Sequence, residues 1–188
     1  MQAADRISYA QYLDMEASAE LKHEYVDGVI VAMSGGTIEH GRLAMAIGAA
    51  LGTALGERGC RVLSSDVRVR VEETNRSTYP DLSVVCGDVK RASDDNNAIV
   101  NPIVVVEVLS DSTEQDDRGS KFAHYRRLKS LRHYVLVSQA EPRVEVFSRT
   151  EAGWLLVEYG PGEVVQLESL ETELDMDALY RDAVPVDG

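Results

Sequence analysis

The chain has 188 residues, 44% of them hydrophobic and 27% charged, and a formal net charge of −13. That length suits one domain, residues 1–188, with a core large enough to need no disulfide or metal staple. The acidity argues against general affinity for nucleic acid, because the body of the protein repels phosphates.

Two cysteines, Cys60 and Cys86, lie in no metal-ligand spacing. They read as reduced thiols of a cytoplasmic protein. No charged-then-apolar leader opens the chain, and no run of about 18 apolar residues is present. Neither secretion nor a membrane span is expected.

In chain order, Ser8 followed by Tyr9-Ala10-Gln11-Tyr12-Leu13 is an N-capped short helix. Lys22 to Ser34 reads KHEYVDGVIVAMS, and its Asp27-Gly28 between apolar runs signals a two-residue hairpin. Gly35-Gly36 breaks the chain, and Thr37 to Glu57 carries Ala and Leu at helical spacing. Val67, Val69 and Val71 alternate with Arg68, Arg70 and Glu72, as in a half-buried strand. Asp81 to Cys86 is the next strand, Asp88 to Asn101 a polar loop, and Pro102 to Leu109 a strand buried on both faces. Ser110 to Arg118 is a polar connection and Gly119 to Lys129 a helix. His133 to Ser138, Arg143 to Ser148 and Trp154 to Tyr159 are further strands, and Asp175 to Tyr180 is a closing helix. This order describes an α/β fold, a mixed sheet flanked by helices.

Glu107 stands inside the apolar run Ile103-Val104-Val105-Val106-Glu107-Val108-Leu109. An ionised carboxylate there costs several kcal/mol unless something pairs with it. Asp81 opens a second apolar strand, and neighbouring strands lie under about 5 Å apart, so the two acids can share one cation. Lys121 follows on the next helix. At about 100° per residue it falls on the stripe of Phe122, Tyr125, Leu128 and Leu131, facing the sheet, while Arg126 and Arg127 point away. Two acids and an inward lysine suggest a divalent-metal site that cleaves phosphodiesters. Hard oxygen ligands select Mg²⁺ or Mn²⁺ over zinc. The bland reading of the same residues is a buried Lys–Glu ion pair.

One segment departs from the acidic whole. Arg118 to Arg132 holds six basic residues and no acidic one, against 13 basic and 32 acidic residues elsewhere. It reads equally as a solvated helix face and as an interaction face. Gly35-Gly36 is no phosphate loop, since no Gly-Lys-Ser/Thr follows, and no G-x-S-x-G elbow exists.

Three stretches, HEYVDGVIVAMSGGTIEHGRLAMAI, YPDLSVV and VVEVLSDSTEQDDRGSKFAHYRRL, together with HYVLVS, resemble the PD-(D/E)XK nuclease superfamily. Within it they are similar to the bacterial Uma-type family of "putative restriction endonucleases". The resemblance implies a restriction-endonuclease-like core with an N-terminal hairpin and a C-terminal strand extension. It matches Asp81 to the family's PD aspartate, Glu107 to its second acid, and Lys121 to a lysine displaced onto the following helix; the usual lysine position holds Leu109. The family's proline after the serine of EVLS is Asp111 here. Glu24 and His40 also match recurrent family positions.

The mechanism so implied has Asp81 and Glu107 hold Mg²⁺ or Mn²⁺ with the Val108 carbonyl, Lys121 assist the attacking water, and Glu24 complete the site. His40, Arg126, Arg127, Lys129 and Arg132 would contact nucleic acid, DNA by preference, and a homodimer would match a two-stranded substrate. The rival reading is a catalytically inactive binding or assembly module of the same fold. A third is a phosphoesterase acting on a small nucleotide.

Overall fold

The computed structural model describes residues 6–184. Helix α1 (Tyr9–Glu16) starts with a full capping box, in which Ser8 Oγ accepts from the Gln11 N–H and Gln11 Oε1 accepts from the Ser8 N–H. The hairpin of β1 (His23–Val26) and β2 (Val29–Ala32) turns at Asp27 and Gly28 with φ of 46° and 92°. Two consecutive positive φ values suit the strand twist, which explains the Asp-Gly pair. Thr37 caps α2 (Ile38–Leu55), its hydroxyl accepting from the His40 N–H.

The remaining strands are β3 (Cys60–Ser64), β4 (Arg68–Val71), β5 (Arg76–Thr78), β6 (Leu82–Cys86), β7 (Arg91–Ala92), β8 (Asp95–Ile99), β9 (Val104–Leu109), β10 (His133–Ser138), β11 (Val144–Thr150), β12 (Gly153–Tyr159), β13 (Val164–Leu167) and β14 (Thr172–Asp175). Between β9 and β10 the chain is helical as α3 (Glu114–Asp116), a π-helical turn (Asp117–Lys121) and α4 (Phe122–Tyr125); α5 (Met176–Leu179) follows β14.

The α/β class holds, but the strands divide among sheets. One six-stranded sheet runs β2-β1-β5-β4-β8-β7, a second runs β12-β11-β10-β9-β6-β3, and β13-β14 form a hairpin. The second sheet organises the core. Alternation along β9 sends Val104, Val106 and Val108 to a cluster under α2, with Leu43, Ile47, Leu51 and Leu55. Val105 and Leu109 go to the opposite cluster, with Tyr125, Leu128, Leu131 and Tyr134. Glu107 lies between Val105 and Leu109 and so occupies a core position on that second face.

Several expectations need correction. The polar stretch Asp88 to Asn101 is not loop throughout, because it carries β7 and β8. The composition of β8, Asp-Asn-Asn-Ala-Ile, has poor strand propensity, and parallel pairing with β4 overrides it. In β4 the arginine is not solvated: Arg70 is buried, its guanidinium 3.7 Å from the centre of the Tyr9 ring. The helix expected over Gly119 to Lys129 begins at Glu114 and ends at Tyr125, so Lys121 lies well inside it. Nothing in the sequence reading anticipated β13 and β14. The cysteines are not free thiols. β3 pairs antiparallel with β6 so that Cys60 and Cys86 stand opposite, Cα atoms 3.9 Å apart, and they form a disulfide. A separation of 26 residues hides what strand pairing makes adjacent. Among the described residues no helix is long and apolar enough to cross a membrane.

The bond closes a loop of intermediate length, which restricts the unfolded chain. Urea unfolding with and without reductant should show a loss of about 2–4 kcal/mol on reduction.

Candidate functional site

Strand register sets the two predicted acids side by side. β6 and β9 pair antiparallel with Leu82 opposite Val106, and continuing that register sets Asp81 opposite Glu107. Asp81 is held there by its neighbour strand, since the Val108 N–H donates to Asp81 Oδ2 at 2.7 Å. His40, in the first turn of α2, places Nε2 3.3 Å from the same oxygen. Its pKa is raised, chiefly by that contact with Asp81, against the opposing effect of burial. Gly36 leaves room for this ring: a Cβ there would come within 2.8 Å of His40 Nδ1.

Lys121 is buried, and its Nζ is 2.9 Å from Asp117 Oδ1, 3.3 Å from Glu107 Oε1 and 3.4 Å from Glu24 Oε1. The Asp117 contact is a close ion pair whose angle falls short of a hydrogen bond. The Tyr125 hydroxyl donates to Glu107 Oε1 at 3.0 Å. Arg76 on β5 is 2% exposed, bonds Ser120 Oγ and Asp116 Oδ2, and lies 3.5 Å from Glu24 Oε2. Four carboxylates (Glu24, Asp81, Glu107 and Asp117) thus gather around Lys121, Arg76 and His40. Burial, with Asp117, Asp81 and Glu24 nearby, raises the Glu107 pKa well above its ordinary value, and Lys121 only partly offsets this. Glu107, Glu24 and Asp117 hold Lys121 charged despite its burial.

These groups line a cleft of about 970 Å³, walled by the β1–β2 hairpin, the Ser34–Thr37 loop, the segment after β9, and the π-helical turn. The structure therefore brings together Glu24, His40, Asp81, Glu107, Val108 and Lys121. Arg126, Arg127 and Lys129 are exposed and line no part of the cleft, and Arg127 lies 3.6 Å from Glu73. Leu109, at the usual lysine position, is packed in the core. Three residues of the site escaped the sequence reading. Asp117 had a signal, its i,i+4 spacing to Lys121 on an inward stripe. Tyr125 was on the same stripe and was read only as core. Arg76 had none, because only the pairing of β5 with β1 carries it to Glu24.

Two carboxylate oxygens, Asp81 Oδ1 and Glu107 Oε2, accept no hydrogen bond from any described residue, and both residues line the cleft. Among the described residues no three His, Cys, Asp or Glu side chains converge into a ready cation cage. That donor set fits a hard divalent ion held by two carboxylates and completed by carbonyl, water or phosphate oxygens, as is usual for magnesium.

A family model described as "Uma2: Putative restriction endonuclease" matches residues 9–178. The uncharacterized protein slr1290 of Synechocystis is 34% identical over 177 residues, covering 94% of this chain and 92% of its own. The uncharacterized protein sll1609 of the same organism is 32% identical over 163 residues, covering 86% and 92%. The crystal structure of "a putative nuclease belonging to DUF820" from Anabaena variabilis superposes with a TM-score of 0.77 at 18% identity, over 93% of this chain and 98% of that one. That likeness establishes a shared fold.

The raised Glu107 pKa makes stability depend on pH. The native state holds a proton that the unfolded state releases above about pH 4.5. Stability from this group is therefore full below that pH and falls as pH rises toward the folded pKa. Urea titrations across this range should show the decline in the wild type and a flatter profile in Glu107→Gln.

Proposed function

The chain belongs to the Uma2 family of putative restriction endonucleases, and from that membership we propose that it is a metal-dependent endonuclease hydrolysing phosphodiester bonds in DNA. The observation that carries the reading is Lys121, buried among Glu24, Glu107 and Asp117 beside Asp81 at the floor of one cleft. Asp81 and Glu107 would hold Mg²⁺ or Mn²⁺, with the Val108 carbonyl completing the protein's share. When bound, such an ion polarises a phosphoryl oxygen and lowers the pKa of a coordinated water.

The chain's own residues supply the rest. Lys121 keeps its proton because three carboxylates surround it, so it offers a fixed positive charge to the scissile phosphate or its attacking water. Glu24 and Asp117 hold that ammonium from two sides, and Tyr125 fixes one oxygen of Glu107, leaving the other for the ion. His40, whose pKa is raised by its contact with Asp81, offers a ring N–H at the cleft wall for a substrate phosphate. A homodimer is the assembly this reading favours, since two-fold symmetry matches a duplex.

A second reading, an inactive binding module, is favoured by the net charge of −13 and by the exposed basic residues standing outside the cleft. Calorimetric titration with Mn²⁺ separates the two. Binding is expected in wild type and lost in Asp81→Asn/Glu107→Gln, and plasmid cleavage should be abolished in Glu107→Gln. Lys121→Met should slow cleavage by about 10²–10³-fold. Cleavage that survives in Glu107→Gln would overturn the assignment, and a chain that neither binds Mn²⁺ nor cleaves is the inactive module.

A further inference from the structure

We propose that the outer edge of β12 is the surface on which a second copy of this chain docks, antiparallel, with Leu156 opposite Leu156 of the partner subunit. β12 ends its sheet and pairs only with β11, leaving a row of unsatisfied backbone groups along seven residues. Its central residues are apolar and open to water, Leu155 56%, Leu156 48% and Val157 36% exposed. They point to both faces of the sheet in alternation, so a cover laid over one face would leave the other wet, whereas an added strand extends both.

Natural edges are blunted by shortness, lysine, proline or a bulge. The other edges of the two six-stranded sheets follow this rule: β7 has two residues, β2 four, and β3 five with the charged, exposed Arg61. β12 is longer than these, has no lysine, proline or bulge, and carries its one charge, Glu158, near its end; its ladder with β11 runs from Gly153 to Tyr159 without a break.

The occupant follows from the order of residues. Side chains sharing a face must meet across a two-fold pairing, so the axis has to pass through a residue position. Centred on Leu156, the strand Gly-Trp-Leu-Leu-Val-Glu-Tyr pairs all seven residues with themselves. Leu155 meets Val157 of the other copy, an apolar pair, and Leu156 meets its own equivalent. Glu158, the strand's single charge, falls opposite Trp154, whose ring already carries the Arg149 guanidinium at 4.5 Å. Each acid thus lies on the same row and face as the other copy's arginine, and no like charges confront one another. The pairing would join two six-stranded sheets into one of twelve. It is independent of the nuclease reading, because it uses no residue of the cleft.

Sedimentation of the full chain over a concentration series tests it. The wild type should be a dimer, and Leu156→Lys, which opposes two ammonium groups, should raise the dissociation constant by about 100-fold or more. Leu21→Lys, at a residue 64% exposed and outside any strand, should leave it unchanged. Because Leu156 is exposed, the lysine variant should keep the wild-type circular dichroism. The register has its own test: Leu156→Cys should cross-link to itself under mild oxidation, Leu155→Cys should not, and Leu155→Cys mixed with Val157→Cys should. A wild type that stays monomeric, a dimer indifferent to Leu156→Lys, or cross-linking through Leu155→Cys alone would overturn the proposal.

Discussion

Burying Lys121 among carboxylates is the constraint around which the molecule is arranged. Each ion removed from water costs several kcal/mol, repaid only when partners surround it closely. The partners here come from three separate parts of the chain: Glu24 on β1, Glu107 on β9 and Asp117 one turn earlier on the same helix. Removing one member of such a cluster leaves the others uncompensated, at a cost of about 3–5 kcal/mol. The cluster therefore ties the hairpin of one sheet to the central strand of the other. Burial first, and the neighbouring carboxylates after it, also hold the Glu107 pKa well above its ordinary value. A fold optimised only for stability would fill that core position with an apolar residue, as it does with Val105 and Leu109 on the same face.

The local geometry explains how so much charge fits. A π-helical turn at Asp117–Lys121 widens the helix at the point where it faces the sheet. Such turns are rare and concentrate at functional sites. Below it, Tyr125 and Tyr134 bring hydroxyls into an apolar cluster: Tyr125 bonds Glu107 and Thr78, and Tyr134 donates to the Asp117 carbonyl. Polar groups in this half of the core are thus mostly satisfied by one another. Asp117 Oδ1 and Arg76 Nε lack a hydrogen-bond partner and are held by ion pairing instead, and Asp81 Oδ1 and Glu107 Oε2 accept none from any described residue. Charge on this protein is also spatially sorted, with acids at the cleft floor and the basic run Arg126 to Arg132 on the outer surface.

What could be read from the sequence had a local cause. The Asp27-Gly28 turn, the Ser8 cap and the apolar strand around Glu107 each depend on neighbours a few residues away. The inward direction of Lys121 also emerged, because helical phase survives an error in where the helix begins. Boundaries were less legible: the helix starts at Glu114 and not Gly119, and a π turn lies inside it. Strand β8 was hidden by its polar residues, and β13–β14 by the absence of a strong period.

The sequence by itself determined the chemical inventory and its local pose: two acids at strand positions, a lysine on an inward helical stripe, an acidic body and one basic run. Periodicity is a property of consecutive residues, so those features need no long-range information. Only the tertiary structure decided which groups share a site. Arg76 reaches Glu24 because β5 lies beside β1. Cys60 meets Cys86 because β3 lies beside β6. Arg126, Arg127 and Lys129 lie exposed outside the cleft, and Arg127 lies beside Glu73. Pairing between distant strands is set by the summed packing of whole sheets, and no window of neighbouring residues contains it.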